Sequence, residues 1–347
     1  MAVRLADVAA AAGVSQATAS RVLNGSARRP QAEVAERVKA AAEKLGYFPN
    51  AQAQALARST ASLMGLIVHD IADPYFSSIA RGAQHGLQGS GIQLMLASTE
   101  RGAQAEVEAV KSFMSYRTDA MLLAGTRGFD DDAVLQQALH QYQSNGGRVA
   151  MIGQPLPGTG GVRIENAAGA EALAGALVGE GHRRFAVLTG EPELSTAVQR
   201  SEGFRAGLAA AGLEPEVVLE GAFTREGGYL MMRELLESRV VQRAGGGQDP
   251  VCVFCVNDVM ALGALVALRE VGLSVPEDVA LAGFDDIPTL ADQHPSITTV
   301  RLPLEEIGRR AAELLVGPEA EGQQDGGRQV TVEGVPVLRG STAYRGR

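Results

Sequence analysis

Two series of short, uninterrupted apolar runs constrain this chain more than any other feature. Leu63–Val68, Gln93–Ala97, Ala120–Ala124 and Val149–Ile152 form the first series, separated by amphipathic stretches such as 76–88 and 104–116. After about Val162 the pattern restarts with Phe185–Thr189, Val217–Leu219, Val251–Val256 and Val279–Ala282. Runs that do not alternate with polar residues are strands covered on both faces, and strands separated by helices pair in parallel. The expectation is a body of two α/β lobes in series, each a parallel sheet between helices.

The chain ahead of Leu63 follows another rule. Leu5, Val8, Ala9 and Ala12 share one face of a short helix, Gly13 ends it, and Val14, Val22 and Leu23 give a second short helix its apolar positions. Ser15 stands where it caps that second helix. Val34, Val38, Ala41 and Leu45 mark a third, stopped by Gly46. The outward face of the second helix carries Gln16, Thr18, Ser20, Arg21 and Asn24, all donors or acceptors able to meet base edges in a major groove. Charge agrees: residues 1–58 carry a net +4, leaving −13 on the remainder of a chain whose total is −9. A small basic module on an acidic body lets one end alone approach phosphate.

Several function classes are disfavoured. No apolar run reaches the ~18 residues of a membrane span. The N-terminal alanine-rich run is weakly hydrophobic and interrupted by Asp7, so it does not read as an export signal, and a cytoplasmic protein is expected. His69, His85, His140, His182 and His294 are dispersed, and neither a Gly-x-Ser-x-Gly elbow nor a phosphate-loop lysine occurs, so neither enzyme nor metal nor cofactor is expected. Gly181-His182-Arg183 reads as a surface turn. Cys252 and Cys255 lie inside an apolar strand and point to opposite faces, which suits core residues. The glycine-rich stretches 245–250 and 317–328 read as loops.

In parallel α/β sheets, ligands bind beyond the carboxyl ends of the strands. That rule points to 69–76, 189–200, Phe223, Asn257-Asp258 and Asp285-Asp286. From these, Tyr75, Phe76, Thr196, Arg200, Phe223, Asn257 and Asp285 form the candidate ligand set. Aromatic faces would stack on the apolar side of a ligand while Arg, Asn and Asp fix its polar groups. Helix capping or a turn is the competing role for Asn257 and Asp285, and a surface charge for Arg200.

These residues carry a resemblance. Asp7-Val-Ala, Gly13-Val-Ser, Ser20-Arg-Val-Leu-Asn24, Leu45-Gly-Tyr-Phe-Pro-Asn50 and Leu56-Ala resemble the LacI/GalR (lac-repressor) family of bacterial transcription regulators. Downstream, Asp73-Pro-Tyr-Phe76, Arg200-Ser-Glu-Gly-Phe204, Phe223, 256–263 and Gly283-Phe-Asp-Asp286 extend the similarity over nearly the whole chain. The resemblance implies a helix-turn-helix headpiece (1–48), a hinge (49–60) and a periplasmic-binding-protein-like body (61–347). Its lobes would span about 61–161 with 292–322, and 162–291 with 323–347.

For DNA, the resemblance adds Arg4, Ser15 and Ala17 of the headpiece and Asn50, Ala53 and Gln54 of the hinge as further contacts, and assigns Leu56 to a minor-groove wedge; packing on the body is the alternative for that leucine. Arg4 and Gln31 depart from the family by replacing small hydroxyl residues. The partners implied are double-stranded, pseudo-palindromic operator DNA, a second copy of the chain, and a small effector such as a sugar, sugar acid or nucleoside-like metabolite. The function expected is a repressor whose operator affinity follows effector binding. A solute-binding protein without a DNA role is the alternative.

Overall fold

The computed structural model describes residues 3–24, 30–48, 62–125, 132–238, 240–241, 249–316 and 327–343. Two compact units divide the chain, the first holding its N-terminal 63 residues and the second nearly all the rest.

The first unit contains α1 (Leu5–Ala12), α2 (Gln16–Asn24) and α3 (Ala32–Leu45). Gly13 ends α1 at φ +65°, a left-handed conformation that costs a side-chain-bearing residue more than glycine. Val8, Ala9, Ala12, Ala19, Val38 and Ala42 form a small buried core, with Leu5, Val14, Val22 and Leu23 packed against it. The spacing of apolar residues in the sequence therefore corresponds to the helix faces that meet.

In the second unit, a six-stranded sheet runs in the order β11-β5-β4-β3-β1-β2. Its strands are β1 (Leu63–Val68), β2 (Gln93–Ser98), β3 (Ala120–Gly125), β4 (Arg148–Gly153), β5 (Gly160–Glu165) and β11 (Gln329–Glu333). Helices α4 (Pro74–Gly86), α5 (Ala103–Ser115) and α6 (Asp132–Ser144) connect its first four strands, and α11 (Leu304–Val316) packs along α4. A second sheet, ordered β7-β6-β8-β9, comprises β6 (Phe185–Thr189), β7 (Val217–Glu220), β8 (Val251–Cys255) and β9 (Val279–Ala282). It is interleaved with α8 (Ser195–Ala209), α9 (Arg225–Glu237) and α10 (Asp258–Glu270), while α7 (Asn166–Gly179) enters this lobe and packs on α8. Pairings such as β1 with β3 and β6 with β8 are parallel.

Burial explains which runs were easiest to recognise. Central strands β6 and β8 are buried at every position, whereas edge strands β2 and β7 have only exposed and half-buried positions. The C-terminal segment departs from the expected lobe division. Gln329–Glu333 pairs in parallel with Gly161–Glu165, so it extends the first sheet rather than the second lobe. Beyond it, β12 (Val335–Val337) pairs antiparallel with β10 (Thr299–Arg301), forming a ribbon where the chain passes between lobes.

His182 also differs from expectation. It is 1% exposed, its Nε2 lies 3.0 Å from the Thr342 carbonyl, and burial lowers its basicity, so it is an interior residue rather than a surface turn. Cys252 and Cys255 are buried core residues whose thiol pKa values are pushed up by burial. No helix among the described residues is long and apolar enough to cross a membrane.

Candidate ligand cleft and helix-turn-helix face

Tyr75 and Phe76 occupy the first turn of α4. Asp73 sets that turn by accepting the Tyr75 backbone N–H at 2.9 Å, with Pro74 following at the first helical position. The two rings meet edge to face with centroids 5.0 Å apart, and Phe76 packs against His69 at 5.7 Å. His69 is held by Glu106, Nε2 to Oε1 at 3.2 Å. Gly125, at the end of β3, leaves room for this pair, because a Cβ there would lie 2.4 Å from His69 Nε2.

Three elements of the second lobe face these aromatics. Thr196 and Arg200 come from α8, Asn257 caps α10 by accepting the Met260 N–H at 2.8 Å, and Asp285 follows β9. Arg200 is 2% exposed and held by three oxygens: Nε donates to Asn166 Oδ1 at 2.9 Å, Nη1 to the Val256 carbonyl at 2.9 Å and Nη2 to Asp285 Oδ1 at 2.8 Å. Its guanidinium also lies 3.9 Å from the Phe284 ring centroid. The alternative of a surface charge for Arg200 is therefore overturned. Asn257 is a helix cap and a cleft residue at once.

All seven residues of the candidate set line one cleft. The same walls contain Asp73, Arg101, Gly125, Ile152, Gly153, Ile164 and Asn166. Arg101 reaches from the first lobe to the second, donating to the Phe223 carbonyl with its guanidinium 5.2 Å from that ring's centroid. The strand-end rule would have found Arg101 had it been applied after β2, and Asn166 had β5 been recognised.

Burial sets the electrostatics. It raises the carboxyl pKa of Asp285 to about 6 despite the opposing pull of Arg200, and raises that of Asp73 against the hydrogen bond from Tyr75. The Tyr75 phenol is pushed up for the same reason and stays a neutral hydroxyl. Arg101 is lowered by burial, opposed by Glu191, Asp73 and Asp70. A buried and a half-buried cation and two carboxylates braced by protein atoms, with aromatic rings beside them, can bind and orient a neutral polar ligand. Among the described residues, no group of three or more His, Cys, Asp or Glu could hold a metal.

On the headpiece, Ser15 Oγ accepts the Thr18 N–H at 3.1 Å, the cap expected from sequence. Gln16, Ala17 and Arg21 are exposed, Thr18 and Ser20 are half-buried, and Ala19 is in the core. Arg4 precedes α1, its backbone N–H bonded to Asp7 Oδ2 at 2.8 Å, and neither Arg4 nor Gln31 makes a side-chain cap bond. Asn24 ends α2. Its side chain, together with Asn50, Ala53, Gln54, Leu56 and the rest of the expected hinge, lies outside the described residues.

A helix-turn-helix module and a two-lobed α/β body with a polar, aromatic cleft define a ligand-responsive transcription regulator. Residues 4–50 match the bacterial regulatory proteins of the lacI family, and residues 174–342 match the periplasmic binding protein-like domain. The HTH-type transcriptional regulator GalR of Escherichia coli (strain K12) is 33% identical over 89% of this chain and 87% of its own length. A lac repressor dimer bound to operator and the anti-inducer ONPF superposes with a TM-score of 0.84 at 25% identity, covering 99% of this chain and 100% of that one. The regulator CelR in complex with cellobiose has a TM-score of 0.69 at 31% identity, covering 98% and 99%. The chain belongs to the LacI family of bacterial transcription regulators, and its relatives are regulators rather than enzymes.

Proposed function

We propose that this regulator acts in the cytoplasm as a homodimeric repressor whose hold on a pseudo-palindromic operator is controlled by a small saccharide in the cleft. The observation that carries the ligand reading is the convergence of Tyr75, Phe76, Thr196, Arg200, Phe223, Asn257 and Asp285, drawn from separate elements, on one cleft with a buried, braced arginine. Hydroxyl groups suit such a site because Arg200, Asn257 and Asp285 supply fixed donors and acceptors, while Tyr75 and Phe223 offer rings to the apolar face of a sugar. Similar regulators have been solved with cellobiose and with ribose.

At the other end, Gln16, Ala17, Thr18, Ser20, Arg21 and Asn24 read base edges from α2, while Arg4 and Ser15 approach phosphate. Asn50, Ala53, Gln54 and Leu56 complete the contact at the operator's centre. Two headpieces match a two-fold operator, and a lac repressor of similar fold is solved as an operator-bound dimer. A 10- to 100-fold change in operator affinity requires only about 1.4 to 2.7 kcal/mol of coupling to the effector.

Calorimetric titration of the purified protein with a saccharide panel including ribose and cellobiose tests the ligand reading. Binding of one member, lost in Arg200→Ala, is expected; binding of equal strength in Arg200→Ala would remove the cleft from the account.

A further inference from the structure

Asp285 and Asp286 are consecutive, and neither is glycine, yet both have positive φ, +123° and +58°. Side-chain-bearing residues enter this region at a steric cost and stay there only when surrounding bonds hold them. The backbone of Asp285 pairs with β10, its N–H donating to the Val300 carbonyl at 2.9 Å and its carbonyl accepting the Leu302 N–H at 3.3 Å, whereas the side chains of the two residues lead in different directions. Asp285 accepts from Arg200 in the cleft. Asp286 accepts from Arg301 Nε at 2.6 Å through Oδ2, and its Oδ1 forms an ion pair with Arg339 Nη2 at 2.6 Å. Arg301 lies on β10 and Arg339 just beyond β12, the two strands of the ribbon between lobes. From β10 the chain runs into α11, packed on α4 of the first lobe, while β12 leads to the 340–342 turn packed against β9 of the second.

The floor of this turn is also fixed. Asp258 is fully buried, accepting the Ile287 N–H at 2.8 Å and the Thr299 hydroxyl at 2.7 Å. Thr299 Oγ1 in turn accepts the Asp286 N–H at 3.3 Å. The turn is thus anchored below and along β10, with the Asp285 side chain on the cleft arginine and the Asp286 side chain joining Arg301 of β10 to Arg339 beyond β12.

We propose that Asp286 is a positioning residue that transmits the state of the Arg200–Asp285 pair to the β10–β12 ribbon, a role that rests on reading the cleft as the effector site. Because the two aspartates share a peptide unit in a constrained conformation, Asp285 cannot move without rotating Asp286 against Arg301 and Arg339. Effector contacts at Arg200 therefore shift the ribbon, and with it the angle between lobes.

Hydrogen–deuterium exchange on the full-length protein tests this with four chains: unmodified, Arg200→Gln, Asp286→Asn and the double variant. Arg200→Gln is expected to speed exchange at 299–302 and 335–338 by about fivefold or more in the unmodified background, and by less than about twofold in Asp286→Asn. No change at the ribbon in Arg200→Gln, or an equal change in both backgrounds, would overturn the proposal. Should Asp286→Asn lose protection in β6 and β8 and so prove misfolded, Arg301→Gln and Arg339→Gln serve as the alternative backgrounds with the same two criteria. The readout needs no ligand. Failure of the effector reading would show separately, as absence of saccharide binding with this coupling intact.

Discussion

Arg200 and Asp285 lie 85 residues apart in sequence and are joined by an Nη2–Oδ1 bond of 2.8 Å, with side chains only 3% and 7% exposed. A pair this buried repays its desolvation only through additional partners, which Asn166 and the Val256 carbonyl provide for the cation. The cleft is consequently preorganised: its charges are already oriented, and a ligand meets groups that need little rearrangement.

Removing one member leaves the other charged or forces its protonation. Arg200→Ala is expected to lower the unfolding free energy by about 3 to 5 kcal/mol and to abolish the saccharide response. Urea unfolding checks the first outcome and titration with saccharides the second.

Acid titration provides another test. The Asp285 carboxyl is raised to about 6 in the folded protein, chiefly by burial, so the folded state holds its proton more tightly than the unfolded chain. Its contribution to stability is therefore fully present below about pH 4 and is lost as pH rises to about 6. Asp285→Asn is expected to remove that part of the pH dependence, which paired urea titrations from pH 4 to 7 would reveal; an unchanged profile would count against the buried carboxyl.

Arg101 makes a contact between lobes, to the Phe223 carbonyl and ring. Arg101→Ala is expected to weaken saccharide binding about fivefold, the loss of about one net hydrogen bond, while leaving operator binding without saccharide unchanged. Calorimetry together with operator titration separates the two effects.

On the headpiece, Arg21 is exposed on α2. Arg21→Ala is expected to weaken specific operator binding by about 1 to 3 kcal/mol if it reads a base. Gel-shift titrations against operator and scrambled DNA check this, since loss of a phosphate contact alone would weaken both equally.

Much of this architecture was legible because burial writes itself into composition. β6 and β8, buried throughout, appear as unbroken apolar runs, and the faces of α1, α2 and α3 follow helical spacing. β5 was not, because it opens with two glycines and alternates Val162, Arg163, Ile164, Glu165 over only a few positions. With β5 unrecognised, Asn166, the residue that holds Arg200 Nε, had no strand end to announce it. The partner of the terminal strand was not legible: Val330 and Val332 fit either sheet by composition, and only the fold decides that they pair with β5. The seven candidate cleft residues were legible because strand ends in a parallel sheet converge whatever the intervening sequence. His182 misled because a glycine and two basic neighbours resemble a surface turn, whereas its ring bonds the Thr342 carbonyl in the interior.

The most direct test of the central claim is recovery of genomic DNA fragments by the purified full-length protein, with and without each saccharide of the panel. Enrichment of one pseudo-palindromic motif, with a yield that changes with a single saccharide in the unmodified protein but not in Arg200→Ala, is the expected result. A motif whose yield is indifferent to a saccharide that binds the cleft, or no motif above background, would contradict an operator affinity governed from that cleft.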